Sequence, residues 1–204
     1  MKRLSVAIGY IAFLLFLAGC EKAPERVENY FVDFATVLKP ASSITFQLDN
    51  QRTLIPKELK DYAGNNGQRV VLNYSPLNGD TVKINKVTDI FTGSIQTEGF
   101  PEKLIKDPVK IQSVWVGGDY LNMILEIEYH NVAHLIALLR DTSSSTIDLY
   151  FSHSTNNDPP GAPVKLYASF LLSSLRVQGS TTAVPFRLFI NTSEGMRTFQ
   201  LLLP

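Results

Sequence analysis

The chain has 204 residues, 45% of them hydrophobic, with 19 basic and 19 acidic side chains, three histidines and a single cysteine. A formal net charge of zero leaves no electrostatic footprint for nucleic acid or an anionic surface. One cysteine excludes an internal disulfide framework, so the fold must rest on its core, and this length supplies one large core or two small ones.

The first element is a leader. Lys2 and Arg3 precede an apolar run from Val6 to Leu17 that is shorter than the roughly 20 residues needed to span a bilayer. Small residues, Ala18 and Gly19, follow, as at an export cleavage point. Leu17-Ala18-Gly19-Cys20 resembles the lipobox of bacterial lipoproteins, which implies that the Cys20 thiol is alkylated by diacylglycerol and becomes the first mature residue. Each buried methylene adds ~0.8 kcal/mol to attachment, so two or three chains anchor stably where one does not. The expected partner is therefore a membrane, reached through acyl chains on Cys20. Losing Lys2 and Arg3 with the leader leaves a slight acidic excess. The polar stretch that follows, with Pro24, reads as a tether.

From Tyr30 the pattern alternates with a period of two, the mark of a half-buried strand. Tyr30, Val32 and Phe34 form one series and Ile44, Phe46 and Leu48 the next. Pro56 to Tyr62 is expected to form a helical turn or two. Strands are expected at Arg69–Tyr74 and Thr81–Val87, joined across Asn78-Gly79-Asp80, a turn signal. The charged stretch from Thr97 to Pro108 reads as a seam between two units. Beyond it, Leu121, Met123, Leu125, Ile127 and Tyr129 line one face of a long strand, with Asn122, Glu126, Glu128 and His130 on the other. Further strands are expected at Leu135–Leu139, Ile147–Phe151, Leu166–Leu172, Phe186–Ile190 and Arg197–Leu203, with a hairpin loop at Asn191–Gly195. Short strands separated by turn signals predict an all-β sandwich or barrel.

These residues carry a family resemblance. The lipobox, Ala35-Thr36-Val37, Ile44 to Asp49, Gly67 to Tyr74, Val82 to Asn85, Val114 to Asn122, His134 to Leu138, and Leu149 to His153 followed by Asn157-Asp158 are similar to the NigD-like lipoproteins of Gram-negative gut bacteria. The resemblance implies an all-β chain: a signal peptide at 1–19, a lipidated tether at 20–29, a small OB-like barrel at 30–98 and an antiparallel β-sandwich at 99–204. The family name derives from a bacteriocin gene cluster, which implies an immunity or accessory role, with a protein toxin or envelope protein as partner; a glycan partner is the alternative. The expected location is the Gram-negative cell envelope, with the outer membrane favoured. Many relatives have an acidic run after the cysteine, where Glu21-Lys22-Ala23-Pro24-Glu25 mixes signs, so the leaflet stays open.

Candidate chemistry is sparse. Glu126 and Glu128 stand roughly 7 Å apart along a strand, a glycosidase-like separation, but a solvated strand face is the simpler account. His130 and His134 have metal-ligand spacing for a helix, in surroundings that read as strand and turn. His153 and Asp158 lie in a polar loop where loop ordering is the default and ligand contact the alternative. Trp115, Tyr120 and Tyr150 are candidates for an aromatic platform, although Trp115, between Val114 and Val116, also fits a core position. Val116-Gly117-Gly118-Asp119 reads as a tight turn. Phe31, Phe34, Phe46 and Tyr74 are aromatics of the OB-like half that alternation turns mostly inward, away from any base-stacking role. The expectation is a non-enzyme with no metal, no cofactor and no nucleic-acid partner; Trp115, Tyr120, His153 and Asp158 are its ligand-contact candidates, and Cys20 its lipidation site.

Overall fold

The computed structural model describes residues 29–40, 43–59 and 61–204; the leader, Cys20 and most of the tether lie outside the described residues. The first five strands are β1 (Phe31–Leu38), β2 (Thr45–Leu48), β3 (Thr53–Pro56), β4 (Arg69–Asn78) and β5 (Thr81–Asp89). They form a closed barrel in the order β1-β2-β3-β5-β4. Alternation does the sorting: Ala35, Val37, Phe46, Leu54, Val70, Leu72 and Val82 point inward and are fully buried. The barrel closes through a parallel β3–β5 pairing.

The segment expected to turn helical does not. Pro56 ends β3, and residues beyond it are irregular. Ile55 and Lys57 donate their backbone N–H groups to the carbonyls of Asp80 and Val82, each at 2.8 Å. Pro56, between them, faces away from that ladder, where the donor it lacks is not required. Leu54 is buried and Ile55 exposed, so a two-residue period outweighs the helical spacing.

The remaining strands are β6 (Phe91–Gln96), β7 (Lys110–Gly117), β8 (Tyr120–Tyr129), β9 (Leu135–Asp141), β10 (Asp148–Ser154), β11 (Ala162–Leu171), β12 (Val184–Thr192) and β13 (Gly195–Leu203). They run in one eight-stranded sheet, β13-β12-β10-β9-β6-β11-β8-β7. Its end strands β7 and β13 approach each other, so the sheet folds over into two leaves. Leu121, Met123, Leu125, Leu138, Phe151, Phe170 and Leu188 fill the space between.

The crease is β6. Phe91 to Ser94 pair with β11, whereas Ile95 and Gln96 pair with β9, both in parallel. Sequence reading assigns residues 91–96 to the first domain; the structure places them at the centre of the second sheet, so the seam lies before β6. The strand escapes notice because Ile95 alone is buried, and Gly93 stands where a Cβ would press within 3.0 Å of the Phe170 ring. Pairing of β10 with β12 is also parallel, so the expected antiparallel β-sandwich carries three parallel pairs among its antiparallel ones. Parallel pairs need crossovers instead of hairpins.

Two-residue hairpin tips fall where glycine predicts them. Asn78 pairs with Thr81 across Gly79 (φ +57°), and Gly117 pairs with Tyr120 across Gly118 (φ +56°), a left-handed conformation that glycine adopts without a Cβ penalty.

Barrel and sandwich meet around one cation. Arg69 opens β4 on the outer face of the barrel and is only 1% exposed. Its guanidinium pairs with Asp49 at 2.7 Å and donates to Asn122 Oδ1 and Thr36 Oγ1, both at 3.0 Å, and to Ser169 Oγ at 3.3 Å. The group also lies 4.3 Å from the centroid of the Tyr120 ring, a cation–π distance. Asn122 in turn donates to Asp49 at 2.8 Å, and Ser169 to Asn122 at 2.6 Å. Burial pushes the Asp49 carboxyl above its ordinary value, opposed by Arg69 and Asn122. A Cβ at Gly117 would collide with the Asp49 carboxylate, so the glycine of the β7–β8 turn admits the barrel. Removing one member of a buried ion pair leaves the other charge uncompensated, at a cost of about 3–5 kcal/mol. The Arg69→Met variant is therefore expected to lose stability of that order in urea unfolding; a loss below about 1 kcal/mol, the size of an exposed pair, contradicts the assignment.

Candidate functional site

Two surface recesses gather most of the chemistry. The first is a cleft of about 630 Å3 between barrel and sandwich, bordered by Asp33, Phe34, Asn50, Arg52 and Tyr74 from the barrel and by Trp115, Lys165 and Tyr167 from the sandwich. Its size falls within the range of small-molecule sites, about 300–1,000 Å3. Phe34 meets Trp115 edge to face, with centroids 4.9 Å apart and planes at 83°, and lies 6.1 Å from Tyr167. Tyr74 donates its hydroxyl to Asp33 at 2.9 Å. Burial, then that bond, pushes the phenol up to about 12.

Trp115 therefore stands at an interdomain cleft, half-buried on β7. Tyr120 does not join it as a platform, because its ring is covered by Arg69. Tyr150 lies in a different group altogether: it stacks on Phe189 at 4.6 Å and 11°, and the Phe100 ring is tilted against it at 4.6 Å. Of the barrel aromatics, Phe46 is in the core and Tyr74 is 4% exposed, but Phe31 is 52% exposed and stacks on Tyr74 at 5.8 Å.

The second recess, about 530 Å3, is bordered by Lys110, Glu126, Glu128, His134, His153 and Thr155. It brings the glutamate pair and two histidines together, a juxtaposition that separate motifs in the sequence do not announce. The carboxylate of Glu126 is held by Lys110 Nζ and Gln112 Nε2, each at 3.0 Å. Chiefly through the Lys110 bond, its carboxyl sits below the ordinary range, the wrong direction for a glycosidase general acid, which needs a raised value.

The histidines are tied into a chain. His134 pairs with His153, not with His130, which is exposed. The Asp107 carbonyl can only accept, so His153 donates Nδ1–H to it at 3.0 Å and offers Nε2 to the Nδ1–H of His134 at 2.8 Å. His134 Nε2 lies 3.4 Å from Asp158 Oδ2 without a hydrogen bond. Asp158 accepts the backbone N–H groups of His130, Asn131 and Val132 at 2.8, 3.0 and 2.8 Å. These bonds fold the β8–β9 loop over the carboxylate, so Asp158 orders a loop. Asp107 Oδ2 secures Thr155 at 2.7 Å through its backbone and 3.0 Å through its hydroxyl. Among the described residues, no group of three or more His, Cys, Asp or Glu side chains is arranged to hold a metal ion.

The cluster makes stability depend on pH. Burial lowers the His153 value below the ordinary 6.5. A depressed histidine contributes stability that is full above about 6.5 and lost as pH falls through its folded value. Burial alone would raise Asp158, but the three backbone donors and His134 outweigh it and hold the carboxyl at about 2. That contribution is present above the ordinary 3.8 and lost as pH falls toward about 2. Thermal melting across pH is expected to decline in those two windows. The His153→Gln variant should flatten the first and Asp158→Asn the second; profiles unchanged in both variants contradict the chain.

Sequence reading did not find Arg69, Asp49, Asp33 or Tyr167, and it took Asn122 for part of a solvated face. Each sits on the outward side of an alternating strand or in a turn, where a polar or aromatic residue reads as solvent-facing.

Likeness to known proteins follows the same two-part division. The NigD-like N-terminal OB domain matches residues 34–91, and the NigD-like C-terminal beta sandwich domain matches residues 93–201. A structure from Parabacteroides distasonis, provisionally named a toxin-related protein, is 28% identical over 85% of this chain and 93% of its own, with a TM-score of 0.77. A NigD-like immunity protein from Bacteroides caccae shares the fold at 22% identity and TM-score 0.66, covering 83% of this chain and 91% of its own. A provisionally named lipoprotein from Bacteroides fragilis does so at 11% identity and TM-score 0.66, covering 86% and 99%. No functionally curated protein matches the chain. With both domain families matched in order on the barrel and the sandwich, the chain belongs to the NigD-like family.

Proposed function

We propose that the chain is an exported, lipid-anchored, non-catalytic module of the Gram-negative envelope that works by binding, with bacteriocin-associated immunity as its role. The observation that carries this reading is the pairing of a lipobox-like leader with a barrel and sandwich locked by Arg69 around a shared cleft. Grease on Cys20 sets the location and the locked domains present the cleft. The names of two relatives, an immunity protein and a lipoprotein, support the same role and an envelope placement, with the outer membrane favoured. The tethered Glu126 carboxylate supports a binding role over a glycosidase-like one.

Glycan binding is the second reading, favoured by the Trp115 and Tyr167 rings at the cleft.

The Cys20→Ala variant is expected to stay uncleaved and without acyl chains when examined by mass spectrometry, while wild type carries a diacylglyceryl thioether at Cys20. An unmodified sulfur in the wild type removes the anchor. Cells lacking the protein are expected to become more sensitive to a bacteriocin of the producing strain, with rescue by wild type; unchanged sensitivity removes the immunity role.

A further inference from the structure

We propose that the interdomain cleft is a binding site for a neutral oligosaccharide, one sugar ring lying against Trp115 and Tyr167. This rests on reading the protein as a binding module and names the ligand class of its cleft.

The cleft offers both halves of saccharide chemistry. A pyranose has an apolar face of C–H groups and a rim of hydroxyls that donate and accept. The apolar face requires an aromatic surface fixed in orientation, and here Phe34, only 8% exposed, holds Trp115 edge to face and approaches Tyr167. Packing that fixes a ring before the ligand arrives removes part of the ordering cost of binding.

The rim requires polar groups with free hydrogen-bonding capacity. Among the described residues, the Trp115 indole N–H, the Tyr167 hydroxyl and the Lys165 ammonium have no hydrogen-bond or ion-pair partner. Lys165 stands across from Glu126 in register and acts on that carboxylate through its charge, but the hydrogen bonds to the carboxylate come from Lys110 and Gln112, so the N–H groups of Lys165 stay available. Asn50 uses its carbonyl on the Arg52 backbone at 3.0 Å, which leaves its amide N–H groups open. Asp33 spends one oxygen on Tyr74 and offers the other. Donors and an acceptor thus surround the rings.

Charge and topology narrow the ligand class. Asp49 is paired with Arg69 and Arg52 with Asp80, which leaves Asp33 and Lys165 as one charge of each sign along the cleft, so neither an acidic nor a basic ligand is favoured. Of the bordering strands, β1, β2, β4, β8 and β11 are each paired on both sides, and β7, which carries Trp115 and pairs with β8 alone, is the one edge at the cleft to which a peptide strand could add. A neutral, polyhydroxylated ligand with a flat apolar face satisfies all of these conditions.

The protein's single tryptophan lets the site report on itself. Trp115 fluorescence would be followed, with the chain beginning after Cys20, against cellotetraose, mannotetraose, maltotetraose and xylotetraose, with tetragalacturonate as the charged comparison. At least one neutral tetrasaccharide is expected to change the emission saturably and more tightly than tetragalacturonate. The Tyr167→Ala and Asn50→Ala variants should each weaken it about tenfold, a usual cost for losing one good contact. Unchanged melting temperatures of both variants would establish that the fold is intact, and His130→Ala, away from the cleft, should bind as wild type. No response to any neutral sugar, tighter binding of tetragalacturonate, or binding unaffected in both Tyr167→Ala and Asn50→Ala overturns the assignment. A protein that protects cells from bacteriocin yet binds no sugar loses this inference and keeps the immunity role, so the two fail separately.

Discussion

Arg69 carries a full charge into a position from which both domains exclude water, and much of the surrounding geometry follows from satisfying it. The guanidinium donates to acceptors from β1, β8, β11 and the β2–β3 turn, that is, from both halves of the chain. A buried charge is tolerated only when it is paired and hydrogen-bonded, so the barrel cannot shift against the sandwich without stranding Arg69, Asp49 or Asn122. Gly117 belongs to the same constraint, because any side chain there would displace the Asp49 carboxylate. Such an arrangement adds less to net stability than to geometry, since desolvating the ions offsets much of their attraction.

The fixed orientation has a functional consequence. A cleft between two domains holds its shape only if the domains do, and the same contact that buries Arg69 sets Phe34 against Trp115. The His134–His153–Asp158 chain plays a comparable part farther down the sandwich, holding the β8–β9 loop, the end of β10 and the segment around Asp107 together. Both clusters spend polar side chains on shape.

Much of the fold was legible in the sequence because burial on one face leaves a two-residue period. The long strand from Leu121 to Tyr129 was read correctly for Leu121, Met123, Leu125 and Ile127, which are buried, but not for Tyr129, which is exposed; the Asn78-Gly79-Asp80 and Gly117-Gly118 turns were marked by glycines that φ values of +57° and +56° at Gly79 and Gly118 explain. What could not be read is what covers the outward faces. Asn122 alternates with core residues as a solvated residue would, yet it is fully buried because the barrel rests on that face. Strand β6 was missed since a short parallel strand at the crease of a sheet needs few buried side chains of its own. Candidate ligand residues separated for the same reason: Trp115 borders a cleft, Tyr120 lies under Arg69, and His153 and Asp158 are bound within a loop-ordering network, a partition set by pairings between segments distant in sequence.

Differential scanning calorimetry of the chain beginning after Cys20 tests the central claim, that Arg69 makes barrel and sandwich one cooperative unit. A single transition whose calorimetric and van't Hoff enthalpies agree is the expected result. Two resolved transitions, or a van't Hoff enthalpy near half the calorimetric value, would mean that the domains melt independently and that the buried cation does not bind them into one body.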